Sequence, residues 1–477
     1  MESEKTMPET ILLGAGGPGG VLPQSHVCLS EGEMAMVRRG PDTWLAVAGE
    51  LRRRFSGTPD GPWTLCPADH QNRLVLNSLL PWTAPSPLGR EGGSFGFGDR
   101  LGFANPAQVR SIAKTGLRPV LAQQSLRELQ LTGRTLPEVI DCAAWAVFQE
   151  GYRKGYACDG DHLKTLPEIQ NALSKGATMI TLDCSLVLGQ PLPEDAVQEA
   201  SREDGRRYLE SADAKSLGLC YTPSLLVELH KVYDAAIRLI LEVYRQALAP
   251  AGCPIDLEIS LDETQETTTP EAHYFVARAV EEAGVPVTSL APRYVGAFEK
   301  AIDYIGDPVR LQEAMEAHAR LAERFGYKLS LHSASEKFTA LPILAKATGG
   351  NYHVKTAGTS WLEVVEVISK HAPKLYRRLH REALAALKDA KRFYAVHCDA
   401  SRIAPLDSVP DQALPLYLTR NDSRQLLHVT YGAILRQPEL RREILSFLRE
   451  NRALYEAEAE ELYDRHFAAL HAAADHQ

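Results

Sequence analysis

The stretch YKLSLHSASEKFTALPILAKATGGNYHVKTAGTSWLEVVEVISK (residues 327–370) decides how this chain is read. A strand-like run at 327–333 leads to a helical pattern at 336–347. A second strand-like run at 351–358 leads to another helix at 360–370. Working backwards, the same alternation reaches residue 94. Strand-like runs stand at SFGFGDRLGFA (94–104), RPVLAQQS (118–125), YACDGDHLKT (156–165), ATMITLDCS (177–185), PIDLEISLDE (254–263) and PVTSLAPRY (286–294). Helical patterns at 106–115, 136–154, 270–283 and 309–325 lie among them. Strands alternating with helices imply a parallel sheet. About eight such units over roughly 280 residues predict an α/β fold of the (β/α)8 TIM-barrel type. An open, doubly wound sheet is the alternative.

The barrel is expected at 94–373, with a helical insertion at 191–248 between its fourth and fifth strands. Residues 1–93 read as an irregular, β-rich N-terminal region. Its Gly and Pro clusters separate β-like runs at 43–48 and 73–80. Residues 374–477 read as a helical C-terminal extension that ends in a long segment at 437–473.

The chain has 477 residues and a formal net charge of −9, without a basic tract, so no nucleic-acid partner is expected. Its 8 cysteines form no CxxC pair and read as reduced thiols. The N-terminus lacks a signal-peptide pattern, and no apolar run reaches the roughly 20 residues of a membrane helix. The expectation is a cytoplasmic protein with no membrane partner, acting on a small molecule. A homo-oligomer is left open.

Some motifs are decoys. Gly14, Gly16 and Gly19 match GxGxxG, but Pro18 interrupts the motif and VLPQ follows instead of a helix. A glycine-rich loop is the plainer reading, and no nucleotide cofactor is expected. His428 reads as a packed histidine. His397, Cys398 and Asp399 end the β-like run RFYAVHCD, outside the eight units.

In such barrels the reactive residues lie at the C-terminal ends of strands. Polar residues do gather there: Asp99 and Arg100, Gln123 to Ser125, Asp159 to Lys164, Asp183, Asp262 and Glu263, Arg293, His332 and Ser333, and His353 to Thr356. Three strand-end histidines suggest a divalent metal such as zinc, nickel or manganese, held with an open position. His162 and His332 are the expected ligands, completed by His353 or by Glu266. Asp161 and Glu266 are the candidate base and acid, in either order. Gln124, Ser125, Arg293, Lys337 and Lys355 are candidates to hold substrate hydroxyl or anionic groups. Thr269 and Pro270 resemble a helix start, which would put Glu266 in a short loop over the mouth. The amides of Gly358 to Ser360 open another helix and could face an anion, or Thr359 or Ser360 simply caps it.

At these same residues the chain resembles the tagaturonate epimerase family. The matching stretches are SFGFGDRLG (94–102), PVLAQQSLREL (119–129), GYACDGDHLKT (155–165), SLDETQETTTPEAH (260–273), LAPRYVGAFEKAIDYIGD (290–307), LSLHSASEKF (329–338) and HVKTAGTSWLE (353–363). The resemblance implies a metal-dependent enzyme that inverts C4 of a keto-uronate or a 2-ketohexose: tagaturonate and fructuronate, or tagatose and fructose. C4 is not adjacent to the carbonyl, so its hydrogen is not acidic enough for simple removal. Retro-aldol cleavage of C3–C4 followed by aldol closure is the expected route. An aldose–ketose isomerase or an aldolase on the same fold is the rival enzyme, and a non-catalytic sugar-binding protein is the rival outside catalysis.

Overall fold

A computed structural model describes residues 20–264 and 266–472. The GxGxxG stretch therefore lies outside the described residues. Eight parallel strands close into a barrel: β6 (Ser94–Gly96), β7 (Arg118–Ser125), β8 (Ala157–Leu163), β9 (Met179–Asp183), β10 (Asp256–Ser260), β11 (Ser289–Ala291), β12 (Lys328–Leu331) and β13 (Tyr352–Lys355). β13 pairs with β6, which excludes the open sheet. Each expected strand-like run contains one barrel strand.

Helix starts are encoded locally. Thr135 and Thr165 form capping boxes with Glu138 and Glu168, each with Pro in the first turn. Thr269 caps Pro270–Glu282 as its sequence suggested. The helix expected from 336 starts at Ala340 instead. Ser333 and Glu336 hold left-handed backbone (φ 50° and 60°), which interrupts the helix before it can begin. The insertion is helical, with Pro223–Val243 as its longest element.

Five antiparallel strands precede the barrel: β1 (Val27–Leu29), β2 (Gly32–Arg39), β3 (Asp42–Gly49), β4 (Thr58–Asp60) and β5 (Trp63–Pro67), in the order β1-β2-β3-β5-β4. One face packs Met34, Met36, Leu45 and Val47 against Trp145 and Phe148 of the barrel helix Leu136–Gln149. The run at 73–80 is not a strand but most of the helix His70–Leu79. Asp69 caps that helix, and Asn72, Arg73 and Leu76 point inward at helical spacing. The sequence at 437–473 forms two helices, Pro438–Glu450 and Arg452–His471, parted at Asn451. RFYAVHCD forms no strand. His397 pairs with Glu299, and Cys398 is turned toward the Asp422 carbonyl. No helix among the described residues is long and apolar enough to cross a membrane.

The barrel interior departs from its usual filling. Branched aliphatic side chains normally fill such barrels in layers. Here Asp159, Thr181, Glu258, Ser289, Lys328, Ser330, His353 and Lys355 are all buried there. Several are tied together: Ser289 Oγ donates to Glu258 (2.6 Å), Thr181 Oγ1 to Asp159 (2.9 Å), and Lys328 Nζ to Ser94 (3.1 Å), whereas Ser330 Oγ and His353 Nε2 meet no hydrogen-bond partner among the described residues. Below them the floor is plugged. Leu88 packs against Val120, Ala157 and Met179 near the strand starts, and the amides of Leu88 and Gly89 donate to Asp256 (2.5 and 3.0 Å). Arg118 donates to the Leu88 carbonyl.

Candidate active site

β8 supplies the first part of the site. Its register with β9 jumps between Gly160 and Leu163, so Asp161 and His162 sit on an irregular turn of the strand. His162 has φ 54°, a left-handed conformation that costs a non-glycine residue about 1–3 kcal/mol. Its Nδ1 lies 2.8 Å from Asp161 Oδ1. That contact leaves Nε2 as the free ring nitrogen.

β10 and β12 supply the rest. Asp262 follows Glu258 and Ser260 on the inward parity of β10, and Ser260 Oγ donates to Asp262 (2.5 Å). His332, just past β12, lies with Nδ1 3.2 Å from Asp262 and Nε2 2.7 Å from Glu258. The His162 and His332 rings are 5.0 Å apart between centroids. One donor atom from each of His162, Asp262 and His332 falls within 4.8 Å of the others. Each histidine is therefore held by a carboxylate through one nitrogen and offers the other toward a shared point. This is how histidines that ligate metals are oriented, and the donor set fits a divalent cation.

Electrostatics tie the site together. Lys355 Nζ is 2.7 Å from Asp159, 2.7 Å from Asp161 and 3.1 Å from Glu258, and it also donates to Thr181. Burial opposes its charge, but the three carboxylates hold its pKa well above the ordinary lysine value. Burial would raise Asp161, yet Lys355 and His162 hold it well below the usual carboxylate range. Burial would likewise lower His332, but Asp262 and Glu258 lift it to about 10. Removing either partner from such a buried network leaves an uncompensated charge.

These groups line a cavity of about 280 Å³ at the strand ends. Of the expected residues, Asp161, His162, Ser125, His332 and Lys355 line it. Ser125 also caps the helix Leu126–Thr132. The others do not reach it. Gln124 donates to the Asp99 carbonyl, while its neighbour Gln123 lines the cavity. Lys337 is fully buried and donates to the carbonyls of Glu299 (2.7 Å), Ile302 (2.5 Å) and Ser335 (3.0 Å), a structural role. The Arg293 amide pairs with Thr268, and its side chain is outside the cavity lining. Glu266 is exposed, whereas Glu263 lines the cavity. His353 lies inside the barrel, two residues before Lys355, with Nδ1 2.9 Å from Ser94 Oγ. Burial lowers its pKa to about 3, and it is not among the three converging donors.

The helix that opens after Gly358 does not face the cavity as an anion site. Gly358 has φ 72°, and a Cβ there would come 2.1 Å from the Arg100 guanidinium, which packs over this turn. Ser360 Oγ donates to the Gly98 carbonyl (3.0 Å). Asp262 beside the two histidines, Glu258 behind His332, and Lys300 at the mouth were not singled out from sequence, although Asp262 and Arg100 were noted as strand-end polar residues. The inward parity of Glu258, Ser260 and Asp262 was a usable signal for the first two. None marks Lys300, which sits in a loop.

The family model for tagaturonate epimerase matches residues 30–470. The chain belongs to the tagaturonate epimerase family. It is thus an isomerase, an epimerase of carbohydrates. The tagaturonate/fructuronate epimerase of Thermotoga maritima is 38% identical over 410 residues, covering 82% of this chain and 83% of that one. The native crystal structure of the fructuronate-tagaturonate epimerase UxaE from Cohnella laeviribosi superposes with a TM-score of 0.90 at 38% identity, covering 94% of this chain and 96% of that one. A glycerol complex of the same protein gives 0.89 at 39% identity, with the same coverage. The likeness to the Cohnella laeviribosi structure thus covers nearly the whole chain and is not confined to the barrel.

Proposed function

We propose that this protein interconverts tagaturonate and fructuronate by inverting C4, using a divalent cation held by His162, Asp262 and His332. The observation that carries the reading is the convergence of those three donors on one point beside Asp161. The activities named for the relatives support the choice of substrate pair. The bound cation would act as a Lewis acid toward negative charge developing on substrate oxygens.

The chain's own residues supply the rest. Asp161 takes the proton from O4. The C3–C4 bond then breaks, its electron pair passes to C3 to give an enediolate, and C4 becomes an aldehyde. The aldehyde turns over, C3 attacks its other face, and a proton returns to O4. No oxidant or reductant is consumed. Lys355, held among three carboxylates, keeps Asp161 ionised and in place. A second proton-handling group is needed when O4 returns on the opposite face. Asp183 takes that part in place of Glu266: it lines the cavity with Lys164 Nζ at 3.0 Å. All eight cysteines are free, which supports a reducing, cytoplasmic setting.

Product analysis tests the reading. Protein loaded with divalent metal, or treated with chelator, is incubated with tagaturonate, fructuronate, tagatose and fructose. Interconversion of the uronate pair, lost on chelation and restored by metal, is the expected result. Accumulation of an aldose or of released fragments would instead identify an isomerase or an aldolase.

A further inference from the structure

Five cationic side chains besides the histidines line the mouth cavity: Arg100, Arg127, Lys164, Lys300 and Lys355. Three have their charge met within the protein. Arg100 pairs with Glu128 (2.8 Å), Lys164 with Asp183 (3.0 Å), and Lys355 with its three carboxylates. Among the described residues, Lys300 and Arg127 form no ion pair. Lys300 Nζ donates only to the hydroxyl of Ser333 (2.8 Å). Arg127 lies over the Tyr394 ring at 4.8 Å and reaches the Phe393 carbonyl at 3.5 Å.

The setting of Lys300 is built rather than incidental. It rides on a loop between β11 and the helix Pro308–Phe325, closed by the Ala297–Ile305 bridge. Ala301, the next residue, has φ 66°, and Ser333, which receives the ammonium, has φ 50°. Ser333 directly follows His332, so the ammonium is anchored at the same strand end as a proposed metal ligand. Burial and then the charge of Arg127 push the Lys300 pKa down. An anion held beside both cations would relieve that cost, as charge-assisted hydrogen bonds to a carboxylate are among the strong ones.

We propose that Lys300, assisted by Arg127, binds the carboxylate of the substrate and makes the chain select keto-uronates over neutral ketohexoses. The inference rests on the epimerase reading above and names the part of the site that reads C6. Lys300 supplies a point charge next to the reacting end, and Arg127 supplies a planar fork at the rim.

The test compares binding of tagaturonate with that of the neutral ketohexose of the same configuration. Calorimetry is run on the wild-type protein and on Lys300→Met, Lys300→Arg and Arg127→Gln. Turnover of both compounds is measured alongside. The wild type is expected to bind the uronate more tightly. Lys300→Met should narrow that gap by about 10–100-fold, through the KM for uronate more than through kcat, because a hydrogen bond to a charged group is lost. Lys300→Arg should restore part of the gap. Arg127, being exposed, gives a variant that keeps the fold, and Arg127→Gln should narrow the gap to a smaller degree. An unchanged gap in both Lys300→Met and Arg127→Gln would overturn the proposal. So would a wild type that binds both compounds alike. Uronate-selective binding that depends on Lys300 but occurs without turnover would keep this site and sink the epimerase reading, so the two failures are distinguishable.

Discussion

The Glu258 carboxylate, fully buried in β10, sits 2.7 Å from Nε2 of His332. This contact fixes which nitrogen His332 turns toward Asp262. Replacing Glu258 with Gln keeps the shape but removes the charge. Metal affinity should fall by roughly 10–100-fold, read by competition with a coloured chelator. Unchanged affinity in a folded Glu258→Gln protein would mean that His332 needs no such support.

The proposed ligand set can be tested residue by residue. His162→Ala, Asp262→Ala and His332→Ala should each lose stoichiometric metal after dialysis, whereas His353→Ala should retain it. Metal content by mass spectrometry decides the matter. Loss in His353→Ala together with retention in Asp262→Ala would restore the three-histidine arrangement read from the sequence.

With metal supplied at saturation, Asp161→Asn should still bind uronate but lose about 10²–10⁴-fold in kcat, the range for a positioned proton-transfer group. A variant turning over at the wild-type rate would remove Asp161 from the base role.

A pH effect is expected away from the site. His318 is buried beside His273, with their Nδ1 atoms 2.9 Å apart. Burial lowers the His318 pKa to about 4 from an ordinary value of 6.5. Between those values the unfolded chain binds more protons than the folded one. Stability is therefore complete above about pH 6.5 and declines as pH falls toward 4. The contribution of this group is about 2 kcal/mol lost between pH 7 and pH 5. Urea midpoints at the two pH values should differ less in His318→Gln than in the wild type. An equal difference would mean that His318 is not the titrating group.

The barrel was legible because alternating strand and helix periods are a local property of sequence. All eight runs contain a strand, and helices separate the fourth strand from the fifth. What failed was phase and depth. Counting inward residues along β7 from Arg118 points to Gln124, but the register shifts between Val120 and Ala122, so Gln123 lines the cavity instead. His353 carries the right chemistry and faces inward, yet it is two residues short of the mouth. Nothing in composition reports how deep along the barrel axis a residue falls. Arg73–Leu80 is a short apolar run that reads as strand-like, but the cap at Asp69 and packing onto Trp145 and Phe148 make most of it a helix. Lys300 was invisible because its meaning lies in having no ion-pair partner among the described residues, which only an accounting of neighbouring charges reveals.

The plug formed by Leu88 and Gly89 changes what counts as the smallest working piece of this enzyme. Residue 94 is where the repeating pattern begins, and a truncation there would look natural on paper. It would also withdraw Leu88 from the barrel floor and strip Asp256 of two amide donors. Water would then reach the buried lysine of β12 and the carboxylate of β10 from beneath. The segment before the barrel is thus its stopper. The catalytic unit begins upstream of its own first strand.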